Sequence, residues 1–257
     1  MPNKKIAIIS GASAGIGREF VLSVDRDYSL DEIWVIARRE ERLKELQDKC
    51  KNTVRPLPLD LLKDESIKEF SDLLETEKPE IELLVNAAGC GYFGKFEDLD
   101  MDKQIQSLKL NSVALTEICH IALPYMKTGS AIINLGSNSA WQPVPYMTVY
   151  GASKSYVLNF SRALGRELRS KGIKVVCVCP GWVKTEFQEI AGHDKYVKYV
   201  DKWFEPSEVA DQALKDLEAG KTVSILGSNV RRQVRLVKFA PTDFVMDTWY
   251  KQQKLEE

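Results

Sequence analysis

Tyr150 and Lys154 stand four residues apart in the run Tyr150-Gly151-Ala152-Ser153-Lys154, with Ser137 a short way upstream. On a helix, positions i and i+4 project from one face with Cβ atoms about 6 Å apart. An ammonium that close to a phenol favours the phenolate. The spacing therefore predicts a Tyr150 pKa below its ordinary value of about 10. A phenol moved towards neutrality can give or take a proton in turnover. Taken alone, the same spacing also describes an amphipathic helix with a half-buried tyrosine and a surface lysine. Tyr146 is a weaker competitor, because only Tyr150 has a lysine at i+4.

The elements that must position this pair alternate between short apolar runs and amphipathic stretches. Lys5–Ile9 predicts a strand, followed by the turn Ser10-Gly11-Ala12-Ser13-Ala14-Gly15-Ile16-Gly17 and a helix to about Arg26. Gly11, Gly15 and Gly17 let the backbone turn tightly and approach a pyrophosphate at the helix N-terminus. Glu32–Ala37 predicts the second strand. Where a carboxylate would bind ribose hydroxyls, this chain has Ala37 followed by Arg38 and Arg39. A guanidinium matches a phosphate in charge and geometry, so NADP is the expected cofactor, with Arg38 on its 2′-phosphate. Further on come a charged helix over Glu40–Lys51, a strand over Val54–Leu59, Asp60-Leu61, and a helix to about Glu77 that Asp60 could cap. Ile81–Val85 is unbroken apolar sequence, as expected of a parallel strand covered on both faces.

Asp102–Met126 predicts one long helix with Asn111 in its middle, and Ala131–Leu135 a fifth strand. Val149–Ser170 predicts the helix of Tyr150 and Lys154, and Lys174–Val178 a sixth strand. Glu186–Phe204 is long for a connection and rich in aromatics, which predicts a substrate lid over about 186–205; the plainer alternative is a pair of helices packed on the core. A helix from Pro206 to about Ala219 and a last strand at Thr222–Leu226 follow. Residues 1–228 thus read as one dinucleotide-binding and catalytic domain, and 229–257 as a helical extension packed on it. Val230, Val234 and Val237 form one face there, with Arg231, Arg232, Arg235 and Lys238 around it.

These motifs, in this order, resemble the short-chain dehydrogenase/reductase family along most of the chain. They are the Gly-x-x-x-Gly-x-Gly turn, Asp60-Leu61, Asn86-Ala87-Ala88-Gly89, Asn111, Ser137, Tyr150 with Lys154, and Pro180-Gly181-Trp182-Val183-Lys184-Thr185. The resemblance implies an α/β fold: a doubly wound, Rossmann-like parallel sheet of seven strands in the order 3-2-1-4-5-6-7, in a single domain. It implies reversible hydride transfer between NADP(H) and a ketone or aldehyde, with Tyr150 as proton donor and Ser137 hydrogen-bonding the substrate oxygen. Lys154 would lower the Tyr150 pKa and hold the nicotinamide ribose, and Asn111 would order a relay water. Ser139 is the competitor of Ser137, and the spacing to Tyr150 favours Ser137. The cofactor is expected against Gly11, Ser13, Gly15, Ile16, Gly17, Arg38, Asp60, Leu61, Asn86, Ala87, Gly89, Tyr150, Lys154, Pro180, Gly181, Val183 and Thr185. NADP-linked relatives often carry a basic residue in the glycine turn, where this chain has Ala14. The alternative is a non-catalytic NADP-binding sensor or scaffold, which would be expected to have lost Ser137 or Tyr150. The resemblance also implies a homodimer through the helices holding Asn111 and Tyr150.

The bulk composition agrees with this class. A chain of 257 residues, 44% hydrophobic and 28% charged, can bury one large core. A net charge of -1 is no footprint for nucleic acid. Cys50, Cys90, Cys119, Cys177 and Cys179 are odd in number and lack metal-ligand spacing, so reduced thiols in the cytoplasm and no metal are expected. His120 and His193, the two histidines, belong to no triad. No apolar run suits stable membrane insertion. Cys90, Tyr92, Phe93, Trp141, Pro143, Tyr146 and the lid are the expected substrate walls, suited to a bulky apolar ketone or alcohol such as a hydroxysteroid.

Overall fold

The computed structural model describes residues 3–255. Strands β1 (Lys5–Ser10), β2 (Glu32–Ile36), β3 (Thr53–Leu57), β4 (Glu80–Asn86), β5 (Met126–Leu135), β6 (Lys174–Val178) and β9 (Val223–Ser224) form one parallel sheet in the order β3-β2-β1-β4-β5-β6-β9. The last of these is the seventh strand of the sheet, because β7 (Trp182–Val183) and β8 (Trp203–Phe204) pair separately as a two-stranded ladder.

Period-two alternation sends side chains to two cores. Ile6, Ile8, Trp34, Leu84 and Ile132 face one side. They meet α3 (Asp64–Glu77), α5 (Leu115–Ala122) and α6 (Thr148–Glu167) through Phe70, Leu74, Ile118 and Val157. Ala7, Ile9, Val35, Leu83 and Ile133 face the other. Their partners are α1 (Gly15–Asp27), α2 (Glu40–Gln47) and α9 (Pro206–Glu218), through Phe20, Val24, Leu43 and Leu217. Both faces of the central strands are thereby dry, the condition under which an all-parallel sheet persists.

The expected long helix over Asp102–Met126 is not continuous. It runs as α4 (Met101–Leu108), a π-helical turn over Lys109–Ala114, then α5, and ends in a 3₁₀ turn at Leu123–Tyr125 containing Pro124. A π turn takes one more residue per turn than an α-helix and re-aims what it carries. Here it leaves Asn111 buried.

Beyond β8 the chain forms α9, β9, α10 (Ser228–Val237) and α11 (Thr242–Gln253). Val230 and Val234 of α10 are buried, Val230 in the second core. The segment between β7 and β8 contains two one-turn helices, α7 (Phe187–Ile190) and α8 (His193–Tyr196). Among the described residues no helix is long and apolar enough to cross a membrane.

Candidate active site

A cleft of about 460 Å³ opens at the carboxyl ends of the strands, where β1 and β4 diverge into their connections. At one end lies the turn after β1. Gly11 has φ +70, and a Cβ there would stand 2.7 Å from the Ala87 carbonyl. A Cβ on Gly17 would stand 2.3 Å from Gly11 O. Only glycine allows this approach of the turn to the end of β4. The α1 N-terminus that follows has no side-chain cap and no acidic residue in its first turn. Its free N–H groups and the positive end of the helix dipole thus face the cleft uncompensated. This cradle fits a pyrophosphate, and Ser13, Ile16 and Ala87 line it. Asp60 and Leu61 form the wall beside it. Asp60 Oδ1 accepts from Leu62 N at 3.2 Å, closing a local turn; α3 starts later, at Asp64, so Asp60 does not cap it.

At the other end α6 brings Tyr150 and Lys154 to the floor beneath Ser137, which follows β5. Lys154 is buried and its Nζ donates to Leu135 O at 2.7 Å. It lies 5.6 Å from the centre of the Tyr150 ring. Burial pushes the Tyr150 phenol up to about 12, with the Ser137 hydroxyl pulling the other way. Burial also lowers the Lys154 ammonium to about 8. The expected depression of the Tyr150 pKa by Lys154 is therefore corrected. Desolvation sets the direction for the phenol, and the ammonium directs its hydrogen bond to the Leu135 carbonyl rather than to Tyr150. Ser137 Oγ accepts from Ser139 N at 3.1 Å and points at Asn138 Oδ1 at 3.4 Å.

Two expected site residues do not line the cleft with their side chains. Asn86 Nδ2 donates to Asn134 Oδ1 at 2.9 Å inside the sheet, and Asn134 Nδ2 continues to Ser161 Oγ at 3.0 Å. Asn86 ties strands together, while Ala87 and Gly89 after it reach the cleft. Asn111 Nδ2 donates to Cys90 O at 2.8 Å and Ser153 Oγ at 3.0 Å, and its Oδ1 accepts from Cys90 N at 3.0 Å. Its amide is committed to holding the chain after β4. A Cβ on Gly89 would meet Asn111 Oδ1 at 2.9 Å and Lys154 Nζ at 3.4 Å, so Asn111 still abuts the lysine's chamber.

The basic residues after β2 divide. Arg38 is exposed at the cleft rim and makes no ion pair among the described residues. Arg39 turns back over the glycine turn. Its Nη2 donates to Ser13 Oγ at 3.0 Å and its Nη1 to Glu186 Oε2 at 2.7 Å, while Arg42 Nη1 donates to Glu186 Oε1 at 2.5 Å. Ala14 leaves the turn without its own cation, and Arg39 stands there instead. Arg42 and Glu186 carried no local sequence signal, since their meeting depends on the tertiary fold.

Pro180, Gly181, Val183 and Thr185 line the cleft after β6, with Pro180 O accepting from Asn138 N at 2.9 Å. Thr185 N and Oγ1 both donate to Gln188 Oε1, at 3.2 and 2.9 Å. Of the expected substrate walls, Cys90 and Tyr92 line the cleft, as do Phe187, Ile190 and Tyr199 between β7 and β8. Phe93 does not: it is buried against Trp182 and His193. Trp141 lies outside the cleft between Arg162 and Lys238, and Tyr146 is buried against Tyr196 and Tyr250. Val144, Met147 and, from α11, Trp249 and Gln253 also line it. Gln253 is buried. Its Oε1 accepts from Lys198 N at 2.9 Å and Tyr199 N at 3.0 Å, and its Nε2 donates to Tyr199 O at 3.0 Å. The sequence showed an amphipathic tail but not which surface it reaches.

Comparison with known proteins places this geometry among relatives. The sequence pattern described as short chain dehydrogenase matches residues 5–195. An uncharacterized oxidoreductase of Bacillus subtilis is 31% identical over 233 residues, 81% of this chain and 83% of its own. Sulfoacetaldehyde reductase 2 of Chromohalobacter salexigens is 33% identical over 189 residues, 71% of this chain and 74% of its own. A short-chain dehydrogenase from Sphingobium yanoikuyae, solved in complex with NADPH, superposes with a TM-score of 0.79 at 27% identity, covering 96% of both chains.

Proposed function

The chain belongs to the short chain dehydrogenase family, and from that premise we propose that it is an NADP-dependent oxidoreductase interconverting a ketone or aldehyde and a secondary alcohol. The observation that carries this reading is the junction of two halves in one cleft: a glycine cradle under an uncapped helix N-terminus, and a floor bearing Ser137, Tyr150 and Lys154. Ala37 at the end of β2 and the cluster of Arg38, Arg39 and Arg42 support NADP over NAD.

NADP(H), when bound, supplies or accepts the hydride. The chain's own residues handle the proton and the charge. Burial keeps Tyr150 protonated through neutral pH, so its Oη is ready to protonate a developing alkoxide in reduction. The Ser137 hydroxyl donates to the same oxygen as negative charge grows on it. Lys154 would hold the nicotinamide ribose beside Tyr150, and Asn111 fixes the chain at Cys90 around that chamber. Val144, Met147, Phe187, Ile190 and Trp249 make the substrate end apolar, which suits a bulky apolar carbonyl compound such as a hydroxysteroid.

A cytoplasmic homodimer completes the proposal. Met101, Ile105, Leu108, Val113 and Tyr156 are exposed along the helices that carry Asn111 and Tyr150, an apolar stripe that a second copy would cover. The free cysteines suit a reducing compartment. The test is to mix protein, NADPH or NADH, and a ketone panel graded in size, and to follow the absorbance of the reduced nicotinamide. Oxidation of NADPH in preference to NADH supports the assignment. Tight cofactor binding without turnover on any ketone would favour the sensor reading.

A further inference from the structure

The first residues of the segment between β7 and β8 make contacts of a distinctive kind. Glu186 presents a carboxylate to two guanidiniums, Oε2 to Arg39 at 2.7 Å and Oε1 to Arg42 at 2.5 Å. Arg39 is held at the same time by Ser13 Oγ, directly over the glycine turn. Two residues on, the Gln188 carboxamide oxygen takes both donors of Thr185, its N–H and its hydroxyl. Between them Phe187 lies against the Tyr150 ring, centroids 5.4 Å apart. A carboxylate with its oxygens on two arginines has the charge and fork geometry of a phosphate. A primary carboxamide on a threonine N–H and hydroxyl has the chemistry of nicotinamide's own amide.

We propose that the stem Glu186–Gln188 is a placeholder for the cofactor, its carboxylate occupying the 2′-phosphate donors and its carboxamide the nicotinamide-amide donors until the cofactor displaces both. This rests on the NADP reading above. The stem's side chains compete with the cofactor group by group, so binding of the phosphorylated cofactor releases the start of the lid. The arginines and Glu186 are each about 41–44% exposed. Exchange of one anion for another there is shallow in energy, as a reversible placeholder requires.

The experiment uses the intact protein and calorimetric binding of 2′,5′-ADP, 5′-AMP and NADP. Wild type should bind 2′,5′-ADP more tightly than 5′-AMP. Glu186→Gln should bind 2′,5′-ADP about 3- to 10-fold more tightly than wild type, the worth of one or two partly exposed ion pairs, with 5′-AMP unchanged. Gln188→Ala should tighten NADP while leaving 2′,5′-ADP unchanged, because that fragment lacks the amide. Amide exchange over Glu186–Ile190 in wild type should rise on adding 2′,5′-ADP and stay level with 5′-AMP. If wild type binds the two nucleotides equally, the NADP reading fails and the proposal with it. If wild type prefers 2′,5′-ADP but Glu186→Gln binds it no better, the placeholder alone is overturned. Arg42→Ala is a second check: it should weaken 2′,5′-ADP, and unchanged affinity contradicts a phosphate site shared with Glu186.

Discussion

Lys154 Nζ lies 5.6 Å from the centre of the Tyr150 ring, and its hydrogen bond goes to the Leu135 carbonyl at 2.7 Å. The two groups titrate in opposite directions from their ordinary values because one burial acts on both: the phenol resists losing its proton and the ammonium resists keeping one. At neutral pH the floor of the cleft therefore holds a neutral acid beside a cation that is costly to bury.

Replacing Tyr150 with Phe removes that acid and keeps the ring. Turnover in ketone reduction should fall by about 100-fold or more, the usual worth of positioned acid–base catalysis. NADPH affinity, measured by fluorescence titration, should stay near wild type. Near-normal turnover of the Phe variant would remove Tyr150 from the proton transfer.

Lys154→Met should stabilise the cofactor-free protein. Below pH 8 the native chain bears the full desolvation of the ammonium; between pH 8 and 10.5 it has shed a proton that the unfolded chain still holds. Wild-type stability thus rises with pH across that window, and the advantage of Met shrinks. At pH 7 the gain should be about 1–3 kcal/mol, reduced by loss of the bond to Leu135. Urea melts at pH 7 and pH 10 measure it. An advantage that grows with pH would contradict the sign.

Arg39→Ala should weaken NADPH by about 10- to 150-fold, the worth of one charge-assisted hydrogen bond, and NADH little. Arg38→Ala should lose less, since Arg38 is exposed and unanchored whereas Arg39 is held by Ser13. Equal losses of NADPH and NADH in the Arg39 variant would point to a structural defect instead.

Gln253→Ala strips three hydrogen bonds from the main chain at Lys198 and Tyr199. Losing those part-buried bonds costs about 1–3 kcal/mol locally. Limited proteolysis should then cut between residues 197 and 204 faster than in wild type, and KM should rise most for the largest ketones. Unchanged cleavage would show that α11 does not restrain the segment between β7 and β8.

Light scattering should give the mass of a dimer. Aspartate at both Ile105 and Leu108, exposed on α4, should yield monomers by burying charge at the apolar stripe. A stable tetramer, or a double variant that stays dimeric, would place the interface elsewhere.

Much of the frame follows from local order in the chain. Ile6 and Ile8 against Ala7 and Ile9 already state that β1 is covered on both faces, because strand side chains alternate whatever packs on them. Gly11 and Gly17 declare a turn pressed against other backbone, which any side chain would block. The i, i+4 spacing puts Tyr150 and Lys154 on one helical face without reference to the rest of the fold.

What the tertiary structure alone decided are quantities that depend on surroundings or on distant partners. The direction of the Tyr150 shift was such a quantity, since a pairwise attraction is visible in sequence while desolvation by everything packed around it is not. Arg39 and Glu186 are 147 positions apart, and Lys198 and Gln253 are 55 apart. Neither pair has a period or motif to announce it. Asn111 shows the mixed case. Its place in a helix was legible, but not the π turn around it, nor the tertiary contact that commits its amide to Cys90 beyond β4. Local periodicity sets which elements form and which faces they bury. The folded surroundings set how each charge is solvated and which distant group it meets.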